Sequence, residues 1–113
     1  MDKKLMSIGT TMMILKLLKE KDMYGYEMIK SLEDRSNQVF TLKEGTLYPI
    51  LHNLEHDGCI ASYEKTAETG RVRKFYHITE TGISKLEEKT KEWNQYKEAV
   101  TAVMGGNAYG YAF

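Results

Sequence analysis

The sequence predicts a mainly α-helical fold with a small β-hairpin and a long C-terminal helix. Three observations predict it. Three segments in the first half carry apolar residues at helical spacings of three and four, two β-branched and aromatic runs then flank a loop with one glycine, and the last third repeats apolar residues in heptads. With 113 residues a single core is expected. Hydrophobic residues at 42% and charged residues at 28% suit a folded chain and are too apolar a mixture for general disorder.

In chain order, Leu5, Ile8, Met12, Leu15 and Leu18 form the apolar stripe of a first helix, and Lys19 and Lys21 near its end suit the helix dipole. A second helix is predicted over 24–35, with Gly25, Met28, Ile29 and Leu32 on one face, and the SNQVF stretch ends it. Thr41-Leu42-Lys43-Glu44 has the form of a capping box, in which hydroxyl and carboxylate each reach the other residue's backbone amide. The third helix turns Leu47, Ile50, Leu51 and Leu54 inward and shows Thr46, Tyr48, His52, Asn53 and His56 on its other face, with Gly58 as its stop. Pro49 conflicts with a helix interior, so this helix either begins nearer Thr46 or bends in its first turns. Residues 59–64 and 72–78 read as two strands joined by KTAETGR. Thr79 caps the last helix, along which Ile83, Leu86, Thr90, Trp93, Lys97, Val100 and Met104 make a seam with two polar intrusions. The tail, GGNAYGYAF, carries no charge and three glycines and is expected to be mobile.

Three amphipathic helices must cover one another's apolar faces, and the second and third, separated by a short connection, make a helix-turn-helix. The hairpin covers an open edge of that bundle and sends its tip outward, which completes a winged helix-turn-helix. Residues 1–78 are expected to form this body, 79–104 a dimerisation helix and 105–113 a flexible tail. The polar face of the third helix matches the width of a DNA major groove, with the wing beside it for backbone or minor groove. On a single chain the final seam would leave a large apolar patch in water, and a second copy removes it. Leu5, Ile83, Leu86, Trp93 and Val100 are the expected interface, and a twofold dimer suits a palindromic site.

Basic and acidic side chains number 16 each and cancel, yet they are segregated. Residues 1–21 balance at +3, 22–64 at −5, and 65–77 at +3, the last through Lys65, Arg71, Arg73 and Lys74 against Glu68. That dense cluster at a turn can grip phosphate although the molecule is neutral; taken alone it also reads as a solvated loop.

No apolar run approaches the roughly 18 residues needed to cross a bilayer. The basic start is like that of a signal peptide, but Lys16 and Lys19 interrupt it and no small-residue cleavage site follows. Cys59 stands alone, which excludes an internal disulfide and fits a reducing compartment, so a cytoplasmic protein with no membrane contact is expected. His52 and His56 have a metal-binding spacing without a third ligand nearby. No Ser/His/Asp order, phosphate-cradling glycine loop or carboxylate pair speaks for catalysis, and no cofactor is called for. Two other functions stay open: a protein-interaction module that never touches DNA, motivated by the −5 balance, and a dimer that chiefly binds small molecules.

Three stretches together, Tyr24 to Ile29 (YGYEMI), Glu44 to Gly58 (EGTLYPILHNLEHDG) and Gly70 to Gly82 (GRVRKFYHITETG), closely resemble the PadR family of bacterial transcriptional regulators. With one helix after the wing, the chain is similar to the short subfamily. The resemblance implies a homodimeric repressor that binds an inverted-repeat operator in double-stranded DNA and releases it when a small planar, aromatic or amphipathic molecule binds. It implies DNA contacts from Lys43, Thr46, Tyr48, His52 and Asn53 on the third helix and from Arg71, Arg73 and Lys74 in the wing, where Gly70 supplies the tight turn. Many relatives carry a basic residue where Asn53 stands, so more of the affinity rests on the wing here. It further implies that Trp93 stacks on planar ligands in a pore between subunits, with Ile8, Met12, Leu86 and Thr90 nearby. Read without the resemblance, Tyr48 can also cover the core edge, and Trp93 can be packing between subunits.

Overall fold

The computed structural model describes residues 9–105, so Leu5, Ile8 and residues 106–113 lie outside the described residues. The elements are α1 (Thr10–Glu20), β1 (Met23–Tyr24), α2 (Gly25–Arg35), α3 (Glu44–His56), β2 (Ile60–Thr66), β3 (Val72–Ile78) and α4 (Glu80–Met104). The fold is mainly helical, with a small antiparallel sheet in the order β1-β3-β2.

α1 is the centre of the body, packed against α2, β3 and α4. That position explains why its buried face, Ile14, Leu15, Leu17 and Leu18, is wider than the predicted stripe, while Met12 is only half-buried. Met28 from α2, Leu47 and Leu51 from α3, and Ile60, Tyr76 and Ile78 from the sheet close the core. Ile14, Leu15, Leu18, Met28, Leu47 and Leu51 are essentially inaccessible. Burial of each such side chain contributes about 1.5–3 kcal/mol.

Three sequence expectations change, and of the two alternatives for Pro49 the later helix start is not the one taken. Tyr24 belongs to a strand, not to the second helix: Met23 and Tyr24 pair with Tyr76 and Phe75 as a third strand. The helix starts one residue later, and Glu27 Oε1 accepts from the Tyr24 amide at 3.2 Å. The capping box at Thr41 is not formed. Leu42 turns into the core, so the chain stays extended through Lys43 and Glu44 is the first helical residue instead of the third. α3 therefore begins at Glu44, not near Thr46, and Pro49 lies inside it. Finally, β2 runs two residues further than predicted, to Thr66, pairing in register with β3 as far as Val72.

The stops behave as their chemistry requires. Gly58 has φ +76 and the Cys59 amide donates back to the Leu54 carbonyl at 2.8 Å, which ends α3. Between α2 and α3 the chain turns through Asn37 and Gln38 at φ 51 and 70, while Ser36 Oγ donates to the Leu32 carbonyl and accepts from the Phe40 amide. Thr79 does cap α4: its Oγ1 accepts from the Gly82 amide at 3.1 Å and donates to the Gly58 carbonyl at 2.6 Å.

One polar network ties the α1–β1 connection to the wing. Asp22 accepts from the Tyr63 hydroxyl at 2.5 Å, and its other oxygen lies 2.8 Å from His77 Nδ1. Partial burial pushes the Asp22 carboxyl up, but the Tyr63 and His77 hydrogen bonds outweigh it and hold the pKa below the ordinary 3.8. A depressed carboxylate adds stability that is fully present above its unfolded pKa and is lost as pH falls through the folded one. Asp22→Asn is therefore expected to cost about 1 kcal/mol at neutral pH and to flatten the loss of stability below about pH 4, read from urea melts across that range.

Beyond Leu86 no residue of α4 is buried, and with this helix the molecule measures 56 × 28 × 22 Å along its principal axes. Trp93, Tyr96, Val100, Val103 and Met104 stand in the open, Val103 at 85% exposure.

Candidate nucleic-acid interface

Because Leu47, Leu51 and Leu54 point into the core and Ile50 packs at its edge, the polar residues of α3 are left to point out. Lys43, Thr46, Tyr48, His52 and Asn53 are all exposed. Tyr48 does two jobs at once. Its hydroxyl lies over the start of α2, where a Cβ on Gly25 would come within 2.5 Å of the phenol oxygen. Its ring is still 43% exposed on the α3 face. Any side chain at position 25 would displace it.

Tyr48, Pro49, His52 and Asn53 from α3 meet Lys74 and Tyr76 of β3 around one depression of about 400 Å³. Helix and wing thus share a surface. Strand alternation then sorts the wing cations. Lys74 points to this depression, its Nζ 3.9 Å from Glu55 Oε1 and 5.6 Å from the centre of the Tyr76 ring. Burial first, then the neighbouring Tyr48 and Glu55, push the Tyr76 phenol pKa above its ordinary value, so it stays a neutral hydroxyl.

Arg73 is on the opposite face, half-buried, with its guanidinium 5.5 Å from the Tyr24 ring centre and its Nε buried without a hydrogen-bond partner. Arg71 is exposed beside Gly70, whose φ of +86 makes the turn at the tip. The Ala67 carbonyl accepts from the Gly70 amide across that turn at 2.9 Å. Arg71, Arg73 and Lys74 therefore occupy three different surroundings.

A second concavity, of about 850 Å³, opens between α1, the end of α2 and α4. Met12, Leu86, Thr90 and Trp93 line it, with Met13 and Phe40 deepening its apolar floor. The structure brings these four expected ligand-side residues together. Ile8 lies outside the described residues. Of the expected interface, Ile83 is half-buried and Leu86 buried at the root of α4, while Trp93 and Val100 stand exposed further out, and Leu5 is not described. Trp93 stacks on Tyr96 with ring centres 6.1 Å apart.

Sequence reasoning missed three participants. Glu55 lines the depression between α3 and β3 although the sequence assigns it no role, Tyr96 joins Trp93 on α4, and Gly25 seats Tyr48. Only Gly25 left a signal, as a small residue set between two tyrosines.

Residues 14–88 match the transcriptional regulator PadR-like family. The chain belongs to that family. An uncharacterised protein of Lysinibacillus sphaericus is 41% identical over 93 residues, covering 82% of this chain and 85% of the relative. Transcriptional regulator Rv3488 of Mycobacterium tuberculosis is 32% identical over 77 residues, 68% of each chain. Among solved structures, a transcriptional regulator from Clostridium thermocellum superposes with a TM-score of 0.81 at 34% identity, over 88% of this chain and 97% of that one. The PadR match runs from Ile14 in α1 through Glu88 in α4, so it spans the winged body and the root of the long helix. PadR-like proteins are transcriptional regulators and not enzymes, which agrees with the lack of catalytic motifs in the sequence. Among the described residues, no helix is long and apolar enough to cross a membrane.

Proposed function

We propose that the protein is a cytoplasmic, homodimeric repressor that binds an inverted-repeat operator through α3 and the wing. The single observation that carries this reading is the shared depression, in which Tyr48, His52 and Asn53 of α3 stand beside Lys74 of β3. Side chains on one exposed helix face can reach base edges while wing cations hold the flanking phosphates. In this reading Lys43 and Thr46 contact phosphate at the helix start, Gly70 shapes the tip, and Arg71, Arg73 and Lys74 grip the backbone. Residues 1–78 act as the DNA-binding body and 79–104 as the dimerisation helix. The exposed row on α4 from Trp93 to Met104 pairs with the same row of a second copy, which covers an apolar surface that one chain leaves in water. The cleft beside Met12, Leu86, Thr90 and Trp93 receives a small planar hydrophobic effector whose binding releases DNA.

Titration of the duplex upstream of its own gene, and of a random duplex, tests the reading. Binding is expected to weaken steeply with salt as phosphate contacts release counterions. Arg71→Ala is expected to weaken both duplexes alike and to reduce the salt slope by about one. Asn53→Ala is expected to cost about 1–3 kcal/mol on the operator alone and to relax base preference at one position. Absence of any shift at low salt removes the DNA reading in favour of a protein-interaction module.

A further inference from the structure

The DNA-side depression contains a carboxylate where phosphate would approach. Glu55 is the penultimate residue of α3 and faces both strands of the hairpin. Its Oε2 accepts from Ser62 Oγ of β2 at 2.6 Å, and its Oε1 lies 3.9 Å from Lys74 Nζ of β3. A negative charge on this face repels the duplex, so its presence needs a compensating use. The geometry supplies two. The Ser62 bond pins the root of the hairpin to α3, which fixes the wing's angle to the reading helix. The Lys74 contact holds that ammonium over the Tyr76 ring, at the wall of the depression.

We propose that Glu55 is a positioning residue that restrains Lys74 as an internal substitute for phosphate. It keeps the wing's grip on arbitrary DNA weak until a phosphate takes its place. Both partners are half-exposed, so the restraint is modest and yields to a phosphate oxygen. The inference rests on the proposed DNA binding and adds a role that the α3 face alone does not require.

Glu55→Gln tests it, because the amide oxygen still accepts from Ser62 while the charge is gone. Its side chain is partly exposed, so the fold is retained, and an unchanged melting midpoint checks this. Affinity for a random-sequence duplex at low salt is expected to rise about threefold, the size of one exposed ion pair. In a Lys74→Ala background the same change is expected to do much less, since the restrained group is absent. An equal rise in both backgrounds overturns the proposal, because the carboxylate then acts only by general repulsion. No rise overturns it as well. A loss of affinity with folding intact overturns it in a third way, showing that Glu55 itself accepts from a base, as a carboxylate can from cytosine. Titrating the wild-type chain on the duplex upstream of its own gene as well separates the two claims: if it binds neither duplex at low salt, the DNA reading falls, whereas binding without the Glu55 effect removes this inference alone.

Discussion

Replacing Gly82 by alanine is expected to lower the unfolding free energy by about 3 kcal/mol and the melting midpoint by roughly 15 °C. A Cβ at this position would lie 2.1 Å from the Cys59 carbonyl oxygen and 2.7 Å from Ile78 Cγ1. The first neighbour is backbone, and it cannot give way by a rotamer change. It is also held from behind, because the same carbonyl accepts from the Thr79 amide at 3.0 Å. Thr79 Oγ1 bridges the Gly58 carbonyl and the Gly82 amide, so the end of α3 and the start of α4 are bonded into one joint. Alanine must pry that joint open. Gly45→Ala is the matched control, since a Cβ there meets nothing within 4 Å. It is expected to be neutral or to stabilise by up to about 1 kcal/mol. Differential scanning calorimetry on the two variants reads the contrast directly, and equal behaviour would refute the account.

The second large effect concerns assembly. Trp93→Asp is expected to leave the melting of the winged body almost unchanged and to split the proposed dimer. Within one chain the indole is 39% exposed and stacks on Tyr96, its neighbour on the same helix, so removing it opens little of the core. Between two chains it would place two carboxylates in an apolar seam. Losing the link between half-sites forfeits their effective concentration, and affinity for an inverted repeat is expected to fall about a thousandfold. Sedimentation and operator titration measure the two consequences separately. A wild-type chain that sediments as a monomer at micromolar concentration would sink the dimer.

Much of this architecture is written in local chemistry that a reader of the sequence can use. Leu47, Leu51 and Leu54 mark the buried side of α3, and with it the outward side that carries Tyr48, His52 and Asn53. Thr79, Gly58 and Gly70 mark their caps and turns because hydroxyl capping and positive φ are demands of single residues. What stayed hidden depends on partners far along the chain. Met23 and Tyr24 are a strand only because β3 passes beside them, and two residues carry no periodicity. Thr41 and Glu44 have the local chemistry of a capping box, but burial of Leu42 overrides it. Arg73 and Lys74 look like one cluster in the sequence, yet adjacent strand residues face opposite ways. Glu55 is anonymous until Ser62 and Lys74 arrive around it.

The short strand β1 has a consequence for anyone who would redirect this regulator. Its two residues fasten the hairpin to the segment that joins the first two helices, and Asp22 just before it holds Tyr63 and His77. A hairpin transplanted from a relative would arrive without its mooring. A working chimera has to exchange residues 22–24 together with 60–78, as one unit inherited from a single parent.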